Sequence, residues 1–323
     1  MAANSSIETG TGRKLFSALV FLFGVAATLG TVLGFFGATW WGFDRLADLR
    51  LPFLVILVAT AVIYGFVFRQ ALSALFLLAA VANAVLLAPL WLSTQVAVAS
   101  NDSIRIVSLD TGQSSENRRT IIDWINQEEA DVAVLHRTSG DWATTLNDSD
   151  APYRIISTPV ASGATGKPII LVRHNTTVSP LPPTPGSDFT VRVVNDTSTV
   201  TLIGLSVRAP TSGSAADDRI ERFTALNEAA LAMEGPTVVV GNLEASRWSY
   251  VFKLLAEGMT NSEDGFGYVA TWPPFDWPIV GSYTGLPIDH AVYAGAITVP
   301  YRRIGPALGP SHRPLLFDVS PSQ

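Results

Sequence analysis

Ala130-Asp131-Val132-Ala133-Val134-Leu135-His136-Arg137 is the stretch that decides how this chain is read. A short apolar, β-branched run sits between an acidic residue and a polar pair. That pattern predicts a buried strand ending in a polar tip. Residues 104–109 read as another β-branched strand. Between the two, residues 117–129 have helical spacing, with Ile121, Ile122, Trp124 and Ile125 on the inner face. Further strands are expected at 168–172, 189–194, 199–205, 237–240, 291–293 and 315–319. Helices are expected at 217–233, with Ile220, Phe223, Leu226 and Ala230 on one stripe, and at 250–257. Many strands with helices between them predict an α+β layered sandwich, and the pattern alone does not choose its topology.

The first hundred residues have a different character. Of the 323 residues, 48% are hydrophobic and only 15% charged, and the mean hydropathy is +0.32. The apolar excess falls in three runs, 15–41, 51–68 and 71–91. Each is near the ~20 residues that cross a bilayer core, so three transmembrane helices are expected. The first run is too long for a signal-peptide core and lacks a small-residue cleavage site. Ala26, Gly30 and Gly34 lie at helical spacing on it, a face that lets helices approach closely and could take partner helices. Trp40, Trp41 and Trp91 are placed for the membrane interface. Asn83, within the third run, is expected to make an interhelical hydrogen bond. Arg13, Lys14 and Arg69 fall on one side, and Arg45 and Arg50 on the other. That balance favours an internal N-terminus and an external C-terminal domain, as in a bacterial inner membrane facing the periplasm.

The expected organisation is therefore a polar tail at 1–13, three transmembrane helices at 14–92, a linker at 93–102 and one domain at 103–323. Cysteine is absent, which excludes disulfides and thiolate metal sites. A net charge of -6 argues against broad nucleic-acid affinity, which needs a basic surface. His136 and His290 show no metal-ligand spacing, His174 follows a strand and reads as a loop residue, and Trp272 and Trp277 among prolines are expected to cover one end of the domain.

Six ordered motifs carry a family resemblance. They are Ile104 to Asp110, Asp131 to Arg137, Leu202 to Ser206, Val239-Val240-Gly241-Asn242-Leu243-Glu244, Pro287-Ile288-Asp289-His290 and Ser311-His312-Arg313-Pro314. In that order they resemble the endonuclease/exonuclease/phosphatase superfamily. Thr271-Trp272-Pro273 and the apolar N-terminus resemble its bacterial membrane-anchored subgroup. The resemblance implies a DNase-like four-layer α/β sandwich. It also implies phosphoric-ester hydrolysis assisted by a hard divalent cation, usually magnesium, held by few carboxylates.

Measured against that family pattern, most of the site positions are substituted. Arg137 stands where the family carries its metal-binding Glu. Asn242 replaces the Asp of the Gly-Asp-Phe-Asn motif, and Glu244 replaces that motif's Asn. Ser206 replaces the transition-state His, Ser311 the Asp expected beside the terminal His, and Asp110 the first Asn. Asp289 and His312 alone match. Arg137 is expected to pair with Asp110 and Glu244 in place of a metal, or else to bind an anion. His312, with Ser311 in place of the Asp that would pair with it, is expected to be a structural histidine. These residues imply no cofactor and a degenerate, non-catalytic site. The alternative is an active phosphodiesterase or phosphatase in which Asp110, Glu244 and Asp289 hold Mg or Mn, acting on a lipid head group or a nucleotide.

Overall fold

The computed structural model describes residues 3–67, 71–93, 103–112, 116–156, 158, 167–195, 198–272, 285–309 and 312–321. The chain divides into two compact units, Met1–Pro89 and Leu90–Gln323.

The first unit is helical. It comprises α1 (Ala3–Leu33), α2 (Trp41–Ala47), α3 (Arg50–Val62) continued by a π turn (Ile63–Val67), and α4 (Ser73–Leu87). Helix α1 starts at Ala3, so it takes in most of the polar segment expected as a tail. Among the described residues, two helices, Gly12–Leu33 and Arg50–Val67, are long and apolar enough to cross a membrane. The third apolar run departs from expectation. Its helix stops at Leu87, and a separate four-residue turn, α5 (Pro89–Leu92), begins at Pro89. Proline has no N–H to continue the ladder and clashes with the preceding turn.

Small residues in α1 and just after it pack within the unit. A Cβ on Gly30 would lie 2.4 Å from the Phe53 ring, and one on Gly34 would lie 3.0 Å from the Arg50 guanidinium. Asn83 Nδ2 donates to Thr31 Oγ1 at 2.8 Å, the interhelical bond the sequence predicts.

The second unit holds two six-stranded sheets. The first has the order β11 (Ile297–Ile304), β12 (Leu315–Pro321), β1 (Ile104–Asp110), β2 (Val132–Thr138), β4 (Lys167–Arg173), β3 (Tyr153–Ile156). The second has the order β5 (Thr177–Leu181), β6 (Phe189–Val194), β7 (Thr199–Ser206), β8 (Thr237–Asn242), β10 (Asp289–Ala294), β9 (Thr260–Asn261). Each sheet has one parallel pair at its centre, β1 with β2 and β7 with β8. The crossovers are α6 (Arg118–Gln127), and α8 (Gly213–Leu231) capped by the Ser212 side chain.

Strand alternation sends successive side chains to opposite faces, which produces the layers. Ile104, Ile106, Val132 and Val134 meet Val191, Leu202, Val238 and Val240 between the sheets. Val107, Leu109, Ala133 and Leu135 turn outward onto α6 and α7 (Trp142–Asn147). Ile203, Leu205 and Val239 do the same beneath α8 and α9 (Tyr250–Ala256). The result is a helix–sheet–sheet–helix sandwich, the α+β architecture expected.

Candidate functional site

The carboxyl ends of both parallel pairs converge at one end of the inter-sheet layer. Register sets Asp110 beside His136, and Ser206 beside Asn242. Asp289 opens antiparallel β10 opposite Asn242. His312 precedes β12. Residues expected to carry the site therefore come from both sheets, as the six-motif order implies. Ser311 and Trp277 lie outside the described residues.

Asp110 is the hub. Its carboxylate is fully buried. It accepts from Gly112 N at 2.8 Å, Arg137 Nε at 2.7 and 2.8 Å, Ser206 Oγ at 3.1 Å and Asn242 Nδ2 at 2.9 Å. Three of those four donor residues, Arg137, Ser206 and Asn242, stand at positions the family fills otherwise. Burial pushes the Asp110 carboxyl up. The charges of His312 and Arg137, with hydrogen bonds from Arg137 and Asn242, outweigh it and hold the group below the usual carboxylate range.

The bridge expected of Arg137 is divided between two residues. Arg137 takes Asp110, while the link from Asp110 to Glu244 runs through Asn242. The Asn242 Nδ2 also reaches Glu244 Oε1 at 3.2 Å, and Glu244 N donates to Asn242 Oδ1 at 2.9 Å. Arg137 and Glu244 both sit in the left-handed region, with φ of 47° and 48°. At Arg137 this coincides with a register shift between β2 and β4. Such conformations are costly for residues with a Cβ and persist where surrounding contacts fix them. Here Thr111 Oγ1 holds the Arg137 carbonyl at 3.0 Å.

The expectation for His312 needs correction. It has a carboxylate partner, supplied by Asp289 rather than by residue 311. His312 Nδ1 lies 2.7 Å from Asp289 Oδ2, and both side chains are buried. The pair joins residues arriving from different sheets, so sequence proximity gave no sign of it. Burial would lower the His312 pKa. The charge and hydrogen bond of Asp289, followed by the charges of Asp110 and Glu244, outweigh burial and raise it. Thr271 Oγ1 accepts from the amides of Ile288 and Asp289 at 3.2 Å, which fixes the turn presenting Asp289.

Three supports were not legible beforehand. Asp188 accepts from Ser206 N at 2.7 Å and from Arg222 at 2.6 Å, holding the end of β7. His136 is wholly buried behind the site, with Ser108 Oγ 3.2 Å from its Nε2. Glu263, also buried, faces His290 Nδ1 at 2.8 Å and Arg302 at 3.5 Å. The approach of His290 is off-axis, making a close polar contact rather than an aligned hydrogen bond. The other ring nitrogen of His290 lies 2.7 Å from the carbonyl of Ala245, in the loop after Glu244.

The Asp110 carboxylate has little left to offer a divalent cation. A hard cation needs acidic oxygens with lone pairs to spare. Asp110 is already satisfied by four donor groups, one of them a guanidinium. Among the described residues, no three His, Cys, Asp or Glu side chains form a group able to hold a metal ion.

Residues 98–321 match the model of the Endonuclease/Exonuclease/phosphatase family. That span is most of the chain, which therefore belongs to this family. Solved structures share the fold. An endonuclease/exonuclease/phosphatase family protein from Bacteroides thetaiotaomicron is 12% identical, with a TM-score of 0.51 over 67% of this chain and 97% of that one. D. rerio TDP2 complexed with a single-strand DNA product is likewise 12% identical, with a TM-score of 0.51 over 68% of this chain and all of that one. No curated protein matches the sequence.

Proposed function

We propose that this is a membrane-anchored member of the family whose extracytoplasmic domain binds or scaffolds within a membrane assembly instead of hydrolysing phosphoric esters. One observation carries the reading. The buried Asp110 carboxylate is occupied by Arg137, Ser206 and Asn242, so the substituted positions complete one another's hydrogen bonds. A guanidinium within hydrogen-bonding distance of a would-be ligand repels a divalent cation. At an effective dielectric near 20, two such positive centres ~4 Å apart cost several kcal/mol.

Calorimetric titration of the purified chain with magnesium and with manganese tests this. The expected result is no stoichiometric heat and no rise in thermal midpoint, since any ligand of the native state alone must stabilise it. Micromolar binding that disappears in Asp289→Ala would overturn the reading.

A second reading rests on the Asp289–His312 pair. A histidine oriented by a carboxylate is what general-base chemistry requires. In that reading the domain is a metal-dependent phosphodiesterase or phosphatase acting on a lipid head group or nucleotide, and the same titration gives the opposite result.

The anchoring proposal counts the run 71–91 as a third crossing, with α4 and α5 in succession. An odd number of crossings places the domain opposite the N-terminus. A periplasm-dependent reporter fused after Gln323 is expected to be active in a bacterial host. Activity of a cytoplasm-dependent reporter at that position, with the first one silent, would mean an even number of crossings or the reverse orientation.

A further inference from the structure

The second unit starts at Leu90, within α5, and only Ala88 separates α5 from α4. Helix α4 has 15 residues. At 1.5 Å each they rise ~22 Å, short of a ~30 Å hydrocarbon core. In a third crossing, α5 therefore completes the passage and lies at the membrane boundary. Its side chains suit that zone. Trp91 is 53% and Leu92 76% exposed, and an indole favours the membrane–water interface.

The domain closes on this turn through the loop that follows β9. Gly267 N donates to the Leu90 carbonyl at 2.7 Å, a bond of most value where water is scarce. A Cβ on Gly267 would lie 3.3 Å from Trp91 Nε1, so the loop backbone runs against the indole. The loop is held firmly to the domain. Phe266 N donates to the Glu263 carbonyl at 3.1 Å, which closes a turn. At its base the buried Glu263 side chain faces His290 and Arg302. The tip, Gly265-Phe266-Gly267, carries no charge, and the Asp264 carboxylate beside it is paired with Arg247. An uncharged tip with one aromatic ring enters the interface without stranding a charge.

We infer that the tip of the loop 263–268 rests on the bilayer interface beside Trp91 and Leu92, and that this contact fixes the tilt of the domain on its membrane. The domain is then held at Leu90, upstream of the linker expected at 93–102. This contact surface rests on the proposed anchoring and is independent of what the Asp110 site does.

The chain has no cysteine, so single-cysteine labelling is specific. Gly265→Cys, Leu92→Cys and Asn147→Cys would each carry a fluorophore. Asn147 is exposed at the end of α7, which packs by β3 at the far edge of the first sheet. Each full-length variant would be reconstituted into phosphatidylcholine vesicles with and without a nitroxide-headgroup phosphatidylcholine. Quenching at 265 is expected to be several-fold greater than at 147 and close to that at 92. Gly265 has a φ of 84°, where a side chain is strained, so Asp264→Cys serves as a second probe of the tip. Melting midpoints of all variants would confirm that they fold. Quenching at 92, with 264 and 265 no more quenched than 147, would overturn the contact and leave the anchoring intact. No quenching at any of these positions would overturn the anchoring, and the contact with it.

Discussion

Arg137→Leu is expected to destabilise the domain by roughly 3 kcal/mol, the low end of the cost of breaking a buried ion pair. The leucine leaves the Asp110 carboxylate buried without its guanidinium. Gly112, Ser206 and Asn242 still donate to it, and the Arg137 side chain is 16% exposed, which is why the low end applies. In a domain of this size the change corresponds to a fall of roughly 6–12 °C in melting midpoint. Adding Asp110→Asn removes the stranded charge and is expected to recover most of the loss. Residues in one hydrogen-bond network are coupled and do not add. Thermal and denaturant unfolding of the two variants would measure this. An unchanged midpoint in Arg137→Leu would show that the pair does no structural work, and the anion-binding reading of Arg137 would then come forward.

The same network shows how far sequence reading reached. The strands on which the family motifs sit were legible because they are central. Strands β1, β2, β7 and β8 are buried on both faces and read as apolar runs. The strands not foreseen, β3, β5, β9 and β11, all lie at sheet edges. An edge strand is half-solvated and tolerates proline, so its sequence loses both alternation and continuity. Strand β5 contains Pro180, and β11 contains Pro300 within its register shift. Helix α7 is only six residues long, too short for helical periodicity to register.

The site was legible residue by residue but not contact by contact. The pairing of Arg137 with Asp110 followed from the family resemblance, which brings those strand ends together, and from their compensating charges. The role of Asn242 as the link to Glu244 did not, because the left-handed turn at Glu244 brings the side chain of one residue onto the backbone of another two positions away. The Asp289–His312 pair depends on β10 and β12 lying in opposite sheets, a fact of topology that no local pattern carries.

Acid is expected to weaken the domain chiefly through Glu263. Burial pushes this carboxyl up, but the charge and contact of His290, followed by the charges of Arg302 and Arg247, bring it down to about 2 from an ordinary 4.5. A carboxyl held lower in the folded than in the unfolded chain stabilises the fold above the unfolded value. That contribution is lost as pH falls from about 4.5 towards 2, where the unfolded chain takes up the proton first. The shift corresponds to an order of 3 kcal/mol. Asp110, also held low, works in the same direction, so a variant must separate the two. Glu263→Gln is expected to be less stable than the parent by about that amount at pH 7, since it strands His290 and Arg302 in the interior. As pH falls towards 2 the parent loses the Glu263 charge as well, and the difference between the two proteins is expected to shrink towards zero. Unfolding both by denaturant at intervals between pH 7 and 2 would read this directly. A difference that stays constant across that range would mean that Glu263 is not the group whose titration governs acid stability.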